Sequence, residues 1–415
     1  MQQVYTNCIL NISLANAESP TQGYLEQDTN EIFFPFVVTI PDNGFGPRTS
    51  RSPINPRHWG NRIRGKLGEE VHDDKKGRRF LVIEEKFVDR NLVSLPINGR
   101  AWVLQERFLS PRVLSLGHGQ AFWNCRELSN AFESFPSSLR EGDFHLSSRE
   151  RFWPQSGQKL HEQEFFWNGM IQQYTSRRLT FPAKDRLVAF SAMAQRMAAF
   201  INSEYIAGHF WKQLPQSLPW QVIIHPESRP RRRDRYLLED GRQIKTPSWS
   251  WASIDGEIQM PLMSVALYST ESIANMVDFT LDLVNDANPY GQVVSASLIL
   301  QACCAEAQWT GGVPVLSGQP IKLHDYTSCN GYNVSFWWII DDPIDELQEG
   351  DRCEVIALCR AESNQNLYGL IARRLPDRGP DSYARIGHFC MKGSIEVCRS
   401  LGLWHGEKKQ IIRRL

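Results

Sequence analysis

The stretch that most constrains this chain runs from residue 101 to residue 125, because it joins an amphipathic helix, a proline break and a glycine turn. Residues 100–109 have the spacing of a helix. At about 100° per residue, its apolar members share one arc: Ala101, Trp102, Leu104, Phe108 and Leu109. Gln105 falls inside this arc. We therefore expect its amide to be buried, where it must find hydrogen-bond partners or cost about 1 to 3 kcal/mol.

The helix is expected to end at Ser110-Pro111, since proline disfavours the helical conformation of the preceding residue and has no N–H of its own. Two short runs of β-forming residues follow, Arg112 to Leu116 and Gln120 to Cys125. Gly117-His118-Gly119 separates them and is typical of a hairpin turn. This part of the sequence therefore predicts a helix followed directly by a β-hairpin.

Three motifs in this stretch, W-V-L-Q-E-R, S-P-R-V-L and F-W-N-C, resemble the fungal heterokaryon-incompatibility (HET) domain family. Later segments agree with the same family in the same order. They are YTSRRLT running into KDRL at 174–187, YIAGHFW at 205–211 and PSWSWASIDG at 247–256. The resemblance covers residues 1–256, which we interpret as a HET-like region, with residues 257–415 as a β-rich region packed on it.

The first residues, M-x-x-V-Y-x-N-x-x-L-x-I-S, resemble the middle of a HET domain. In the family, the preceding sequence holds the first strands of an α/β unit similar to a TIR domain. We therefore expect an N-terminally shortened HET-like protein. The resemblance implies fungal non-self recognition or cell-death signalling, in which TIR-type chemistry on NAD depends on those first strands.

The remaining periodicities predict both helices and strands. Helices are predicted at 163–178, 184–201 and 203–211, and strands at 87–95 and 248–254. Beyond Gly256, strand-length runs between Gly and Pro turns predict an antiparallel sheet or partial barrel. The predicted fold class is α+β, with a HET-like core lacking the first TIR-like strands and a β-rich antiparallel C-terminal half.

Composition bounds the partners and the compartment. Lys plus Arg equals Asp plus Glu at 46 each, so no overall charge favours nucleic acid or a membrane surface. The nine cysteines include no C-x-x-C spacing, and no apolar signal run precedes them. No run approaches about 20 apolar residues, so no transmembrane helix is expected. We predict a cytoplasmic protein with free thiols and no nucleic-acid or membrane partner.

The sequence contains none of the strong cofactor motifs. It lacks G-x-G-x-x-G opening a helix, G-x-x-x-x-G-K-[ST], G-x-S-x-G and H-E-x-x-H. We therefore expect no nucleotide, flavin or metal cofactor. Of the ten histidines, His118 lies in the turn beside the helix and His209 lies in the 205–211 motif.

Polar groups embedded in aromatic sequence define the predicted site. The predicted catalytic donors are Gln105, Arg107 and His118. The predicted substrate-binding residues are Trp102, Trp123, Asn124, Trp249, Ser250 and Trp251. In a strand at 248–254 the indoles of Trp249 and Trp251 would share one face, where they either line a pocket or pack the sheet onto the helices.

Two functions of different class follow. The preferred hypothesis is a cofactor-independent cyclase or isomerase of fungal secondary metabolism, including pericyclic chemistry of the Diels–Alder type. It would hold a small apolar terpenoid- or polyketide-like substrate in a near-attack geometry inside an aromatic-lined pocket. The alternative is a HET-type non-self recognition or cell-death signalling protein without catalytic activity, which would act through a protein partner.

Overall fold

The computed structural model describes most, but not all, of the 415 residues. The described residues are 2–19, 21, 36–40, 78–82, 87–125, 127–128, 131–133, 160–224, 230–232, 236–238, 240–261, 270–310, 313–316, 327–329, 332–342, 347–362, 365–379, 381–393, 395–404, 410–412 and 415. The chain forms two compact units, Met1–Phe152 and Trp153–Leu415. The predicted boundary after residue 256 lies inside the second unit. This boundary marks the end of the HET resemblance, and it stays a prediction.

The elements of the first unit are short. They are α1 (Gln2–Thr6), β1 (Asn11–Leu14), β2 (Phe36–Ile40), β3 (Arg78–Val82), α2 (Ala101–Leu109), β4 (Arg112–Leu116), β5 (Ala121–Cys125) and β6 (Ala131–Phe132). One sheet has the order β1-β4-β5-β6. In this sheet β1 runs parallel to β4, whereas β4–β5 and β5–β6 are antiparallel pairs. β2 and β3 form a separate antiparallel pair.

The helix and hairpin predicted from residues 100–125 are both confirmed, as α2 and as the β4–β5 pair. The turn between the strands requires glycine at position 117. A Cβ atom on Gly117 would lie 2.5 Å from the Asn91 carbonyl oxygen and 2.6 Å from the Phe122 ring. Because such an approach is sterically forbidden, only a residue without a side chain fits this turn.

The strand predicted at residues 87–95 is wrong, since this segment is helical and contains a π-helix at Asp89–Val93. Its buried residues Val88, Leu92 and Leu95 fall on one helical face and join an apolar cluster with Phe122. A run of nine residues with five apolar positions fits both the helical and the strand period, and packing against the hairpin favours the helical one.

The second unit begins with three helices, α3 (Leu160–Thr175), α4 (Pro182–Asp185) and α5 (Ser191–Ile201). The single helix predicted at 184–201 is therefore interrupted, with a 3-10 turn at Val188–Phe190 between α4 and α5. The Tyr174 hydroxyl donates a 2.6 Å hydrogen bond to the Arg186 carbonyl. In a continuous α-helix the Phe190 N–H would bond to this Arg186 carbonyl. It bonds to the Leu187 carbonyl, three residues back, which is the spacing of a 3-10 helix.

The helix predicted at 203–211 is also wrong, because the segment forms a hairpin of β7 (Tyr205–Ile206) and β8 (His209–Phe210). Its turn residues Ala207 and Gly208 both have positive φ, at 45° and 105°. This is the backbone of a two-residue hairpin turn and excludes a helix. A Cβ atom on Gly208 would also lie 2.7 Å from the Trp251 indole nitrogen.

Short strands then lead into a large sheet. The short strands are β9 (Gln221–Val222), β10 (Arg231–Arg232), β11 (Tyr236–Leu237), β12 (Gln243–Ile244), β13 (Ile254–Asp255) and β14 (Ile258–Gln259). β10 pairs with β13, β11 with β12 and β14 with β9, all antiparallel. The β10–β13 pair places the 247–256 motif beside Arg231 and Arg232.

The large sheet confirms the predicted antiparallel, β-rich C-terminal half. Its strands are β15 (Thr270–Ser272), β16 (Asn275–Leu283), β17 (Val293–Thr310), β18 (Val313–Leu316), β19 (Thr327–Cys329), β20 (Tyr332–Ile340), β21 (Arg352–Ala361), β22 (Asn366–Arg374), β23 (Tyr383–Lys392) and β24 (Gln410–Ile412). The order is β16-β17-β21-β22-β23-β20-β19, with β15 on β21 and β18 and β24 on β17. Helix α6 (Ile395–Ser400) follows β23 and contributes to the apolar core of the sheet. The fold class is α+β.

In the described part of the chain, no helix combines the length and the apolar character that membrane crossing requires.

Candidate functional site

Six of the predicted site residues lie in the first unit. Gln105 is 2% exposed, so the predicted burial of its amide is confirmed. Arg107 donates a 3.1 Å hydrogen bond from Nη1 to the Asn98 side-chain oxygen, which holds the turn before α2. His118 is exposed, and its backbone N–H bonds to the Asn91 carbonyl.

The aromatic residues of this unit are only partly buried. Trp102 on α2 and Trp123 and Asn124 on β5 all have intermediate exposure. Trp123 and Asn124 are adjacent on one strand, so their side chains lie on opposite faces of the sheet. The catalytic and substrate-binding roles of these six residues stay predictions.

Trp249, Ser250 and Trp251 lie in the second unit, and each is 0% exposed. The predicted strand at 248–254 is wrong: Trp251–Ser253 is a 3-10 turn, and the strand begins only at Ile254. Ser250 causes the turn by capping it, because its hydroxyl accepts a hydrogen bond from the Ala252 N–H at 3.0 Å. The same hydroxyl donates to the Ala207 carbonyl at 2.5 Å and joins the turn to the β7–β8 hairpin.

Replacing Ser250 with alanine is expected to lower the free energy of unfolding by about 1 to 3 kcal/mol, because it leaves the buried Ala207 carbonyl and Ala252 N–H without their partner. Urea denaturation followed by tryptophan fluorescence measures the change. Ser295, exposed on β17, is the control, and its replacement by alanine should change the stability by less than about 0.5 kcal/mol. Equal effects of the two substitutions would contradict this role of Ser250.

The two indoles make different contacts. Trp251 donates from Nε1 to the Gly208 carbonyl at 2.8 Å, and its ring packs edge-on against Tyr174 and Phe190. Trp249 packs against His209, with ring centroids 5.8 Å apart. Its Nε1 is buried, and no described residue accepts a hydrogen bond from it. Trp251 therefore fills the core, whereas Trp249 presents an unused N–H donor there.

A buried ion pair lies beside these residues. Arg385 on β23 is 0% exposed and binds Asp341 through two hydrogen bonds, from Nε at 2.8 Å and from Nη2 at 2.9 Å. It also donates to the carbonyls of Leu218 and Trp220, at 2.6 Å and 2.5 Å. Its guanidinium carbon lies 3.2 Å from the centroid of the Trp220 ring. Arg385 thus joins the large sheet to the 205–260 segment.

Arg232 extends this pair into a network. Its Nη2 bonds to Asp341 Oδ2 at 3.3 Å and to the Arg385 carbonyl at 2.6 Å, and its Nη1 bonds to Ser253 at 3.3 Å. Its backbone N–H donates to the Asp342 carboxylate. The arginine-rich strand β10 therefore binds the acidic pair at the end of β20, which positions the 247–256 motif.

The positive charge of Arg385 affects the pKa of two buried histidines, His209 and His388. Burial, with a further contribution from the Arg385 charge, lowers the pKa of His209 to about 3, and the same two causes lower the pKa of His388 to about 3. Both imidazoles are therefore neutral at neutral pH. His209 shares a 2.9 Å hydrogen bond between Nδ1 and the Ser217 hydroxyl. Among the described residues, neither Nε2 atom has a hydrogen-bond partner.

The segment from residue 205 to residue 217 carries further buried polar atoms of this kind. They are Tyr205 Oη, His209 Nε2, both side-chain atoms of Gln213 and Gln216 Oε1, each without a partner in the part of the chain that the structure describes. Such atoms are rare in folded proteins, since each costs about 1 to 3 kcal/mol when nothing binds it. Their concentration marks residues 205–217, together with Trp249, as the candidate binding site.

This site contains residues that the sequence did not single out. Gln213, Arg385 and His388 carry no motif, and only the fold brings the Arg385 charge close to both His209 and His388. His209 had a signal, because it lies in the 205–211 motif next to aromatic residues. The structure also joins two of the sequence motifs, since Arg186 of KDRL bonds to Asp255 of PSWSWASIDG at 3.2 Å.

The site offers hydrogen-bond donors and neutral imidazoles. Within the described ranges, no group of three or more His, Cys, Asp or Glu side chains is placed to hold a metal ion. Comparison of the chain with protein-family models, curated proteins and solved structures finds no match. The features that bear on function are therefore the geometry of residues 205–217 and of Trp249.

Proposed function

We propose that this protein is a cofactor-independent isomerase or cyclase, and that its substrate places a carbonyl oxygen against Trp249 Nε1 beside the His209 imidazole. The observation that carries the proposal is that these two buried rings lie 5.8 Å apart, and that Trp249 Nε1 and His209 Nε2 each lack a partner among the described residues. The site of the proposal differs from the one predicted around Gln105, Arg107 and His118.

The chemistry follows from the surroundings. An N–H donor that is already oriented and shielded from water stabilises negative charge developing on a carbonyl oxygen. The neutral His209 imidazole beside it has an Nε2 atom without a partner among the described residues, so it can form a second hydrogen bond to the substrate. Aromatic neighbours such as Trp251 and Phe210 exclude water from the same region. These features suit ring closure or isomerisation of an apolar, carbonyl-bearing terpenoid- or polyketide-like compound, for which positioning supplies much of the rate.

Substrate entry requires a movement. Trp249 is 0% exposed and His209 is 1% exposed, so a substrate reaches them only when residues 205–217 open locally. The Ser250–Ala207 hydrogen bond tethers that segment at its hairpin turn. We therefore place the moving part in the loop after β8 rather than in the hairpin.

The test uses the purified protein with metabolite extracts of fungi, because the HET resemblance points to that source. Mass spectrometry should show a compound converted into a product of unchanged mass. The Trp249→Phe variant keeps a ring but removes the N–H, and it should convert the compound about 100-fold more slowly. Trp337→Phe is the control, since Trp337 is an exposed residue of β20 outside residues 205–217, and it should retain the rate.

Two results would overturn the proposal. Equal rates for Trp249→Phe and the unchanged protein would show that Trp249 does not belong to the site. Absence of any mass-neutral conversion across the extracts would contradict the proposed activity. In the second case the HET-type recognition or signalling function, without catalysis, becomes the better hypothesis.

A further inference from the structure

We infer that residues 205–217 bind a neutral ligand that presents an amide N–H and C=O side by side on one edge, and that Gln213 recognises this edge. The inference names the substrate class of the site proposed above and rests on that proposed function. It starts from the side chain of Gln213, which is 3% exposed and whose Nε2 and Oε1 both lack a partner in the described part of the chain.

When residues 205–217 are closed, hydrogen bonds hold the backbone around Gln213 in one conformation. Gln213 ends a 3-10 turn at Trp211–Gln213, its carbonyl accepts from the Ser217 N–H at 2.9 Å, and the Leu214 N–H bonds to the Trp211 carbonyl at 3.1 Å. Ser217 also bonds to His209 through its hydroxyl. Gln213 and His209 are therefore held by the same residue, within one short loop.

A carboxamide with both ends unused selects its ligand by geometry. Its NH₂ needs an acceptor, and its oxygen needs a donor two bonds away on the same edge of the ligand. A trans peptide bond does not present this edge, because its N–H and C=O point in opposite directions. A lactam or another cis-amide has both groups on one side and can form two parallel hydrogen bonds with Gln213.

Charge favours a neutral ligand. The nearby positive charge of Arg385 is matched by Asp341, with which it forms two hydrogen bonds. In the 205–217 segment, the side chains with buried polar atoms that no described residue contacts by a hydrogen bond belong to Tyr205, His209, Gln213 and Gln216. Burial raises the pKa of Tyr205 and lowers the pKa of His209, so both are uncharged at neutral pH. An anion or a cation would lose its hydration here without gaining an opposite charge.

The test compares three small ring compounds on the full chain. The compound 2-pyrrolidinone has the N–H and C=O edge, N-methyl-2-pyrrolidinone has lost the donor, and cyclopentanone has only the carbonyl. Ligand-observed NMR titration should show saturable binding of 2-pyrrolidinone. The other two compounds should bind at least about tenfold more weakly, because Gln213 Oε1 then stays without a donor.

Gln213→Met keeps the length of the side chain and removes both polar atoms, and it should weaken 2-pyrrolidinone binding at least about tenfold. Gln221→Met is the matched control, because Gln221 already pairs with Gln259 at 3.1 Å, and it should leave binding unchanged. The probe series on the unchanged protein keeps the test decisive should the Gln213 variant fail to fold.

Equal binding of all three compounds, or no saturable binding of any, would overturn the inference and leave ordered water as the partner of Gln213. The readout needs no turnover, so it is separate from the test of isomerase activity. Selective binding of 2-pyrrolidinone, with no mass-neutral conversion in the fungal extracts, would contradict the proposed reaction alone. Conversion of a compound in the extracts, without selective binding of 2-pyrrolidinone, would contradict only this inference.

Discussion

Replacement of Arg385 with methionine is expected to lower the free energy of unfolding by about 3 to 5 kcal/mol, the largest effect of any single substitution proposed for this chain. The substitution removes the positive charge but leaves Asp341, which is 1% exposed, as a buried carboxylate that has lost its two-bond partner. The carbonyls of Leu218 and Trp220 lose a donor at the same time.

Urea denaturation at pH 7.5 measures this change, and a surface pair provides the control. Arg352 bonds to Glu306 at 3.2 Å, but their side chains are 78% and 52% exposed. Exposed pairs contribute little, so Arg352→Met should change the stability by less than about 1 kcal/mol. Similar losses from the two arginines would show that the Arg385 network does not hold the sheet to the 205–260 segment.

Acidification from pH 6.5 towards pH 3 is expected to destabilise the fold because His209 and His388 are buried as neutral imidazoles. Their pKa in the folded chain is about 3, below the ordinary value of 6.5. Between these values the unfolded chain binds more protons than the folded chain, so stability falls as the pH falls. The loss is about 1.4 kcal/mol per pH unit for each histidine at the centre of this window.

The prediction is checked by measuring the free energy of unfolding at intervals between pH 7.5 and pH 5, above the range in which most carboxylates titrate. Replacing His388 with glutamine should reduce the number of protons that the chain takes up on unfolding near pH 5 by close to one. A His388 variant with the full slope would show that this histidine is not held neutral.

Local periodicity predicted the strongest elements correctly. The helix with Gln105 in its apolar arc, the hairpin after Pro111 and the antiparallel, β-rich C-terminal half all appear as the patterns predicted. In each case one element buries one face, so the spacing of apolar residues carries the needed information. Charge balance and cysteine spacing made predictions about partners and compartment, which stay predictions.

The errors share a cause. Residues 203–211 have helical spacing, but Ala207 and Gly208 adopt positive φ, and a Cβ atom on Gly208 would lie 2.7 Å from the Trp251 indole nitrogen. Residues 248–254 alternate like a strand, but the Ser250 hydroxyl caps a 3-10 turn and bonds to the Ala207 carbonyl. Both choices depend on residues about 43 positions away in the sequence, which local patterns do not include.

By itself, the sequence determined the α+β class, the antiparallel C-terminal sheet and the burial of Gln105, because these depend on periodicity and on the cost of burying polar groups. Only the tertiary structure decided where polar groups meet. It placed the His209 ring 5.8 Å from the Trp249 ring, joined His209 to Ser217, and bound Arg385 of β23 to the Leu218 carbonyl. Hydrogen bonding and charge act through space, so residues with no common motif become one site only when the chain has folded.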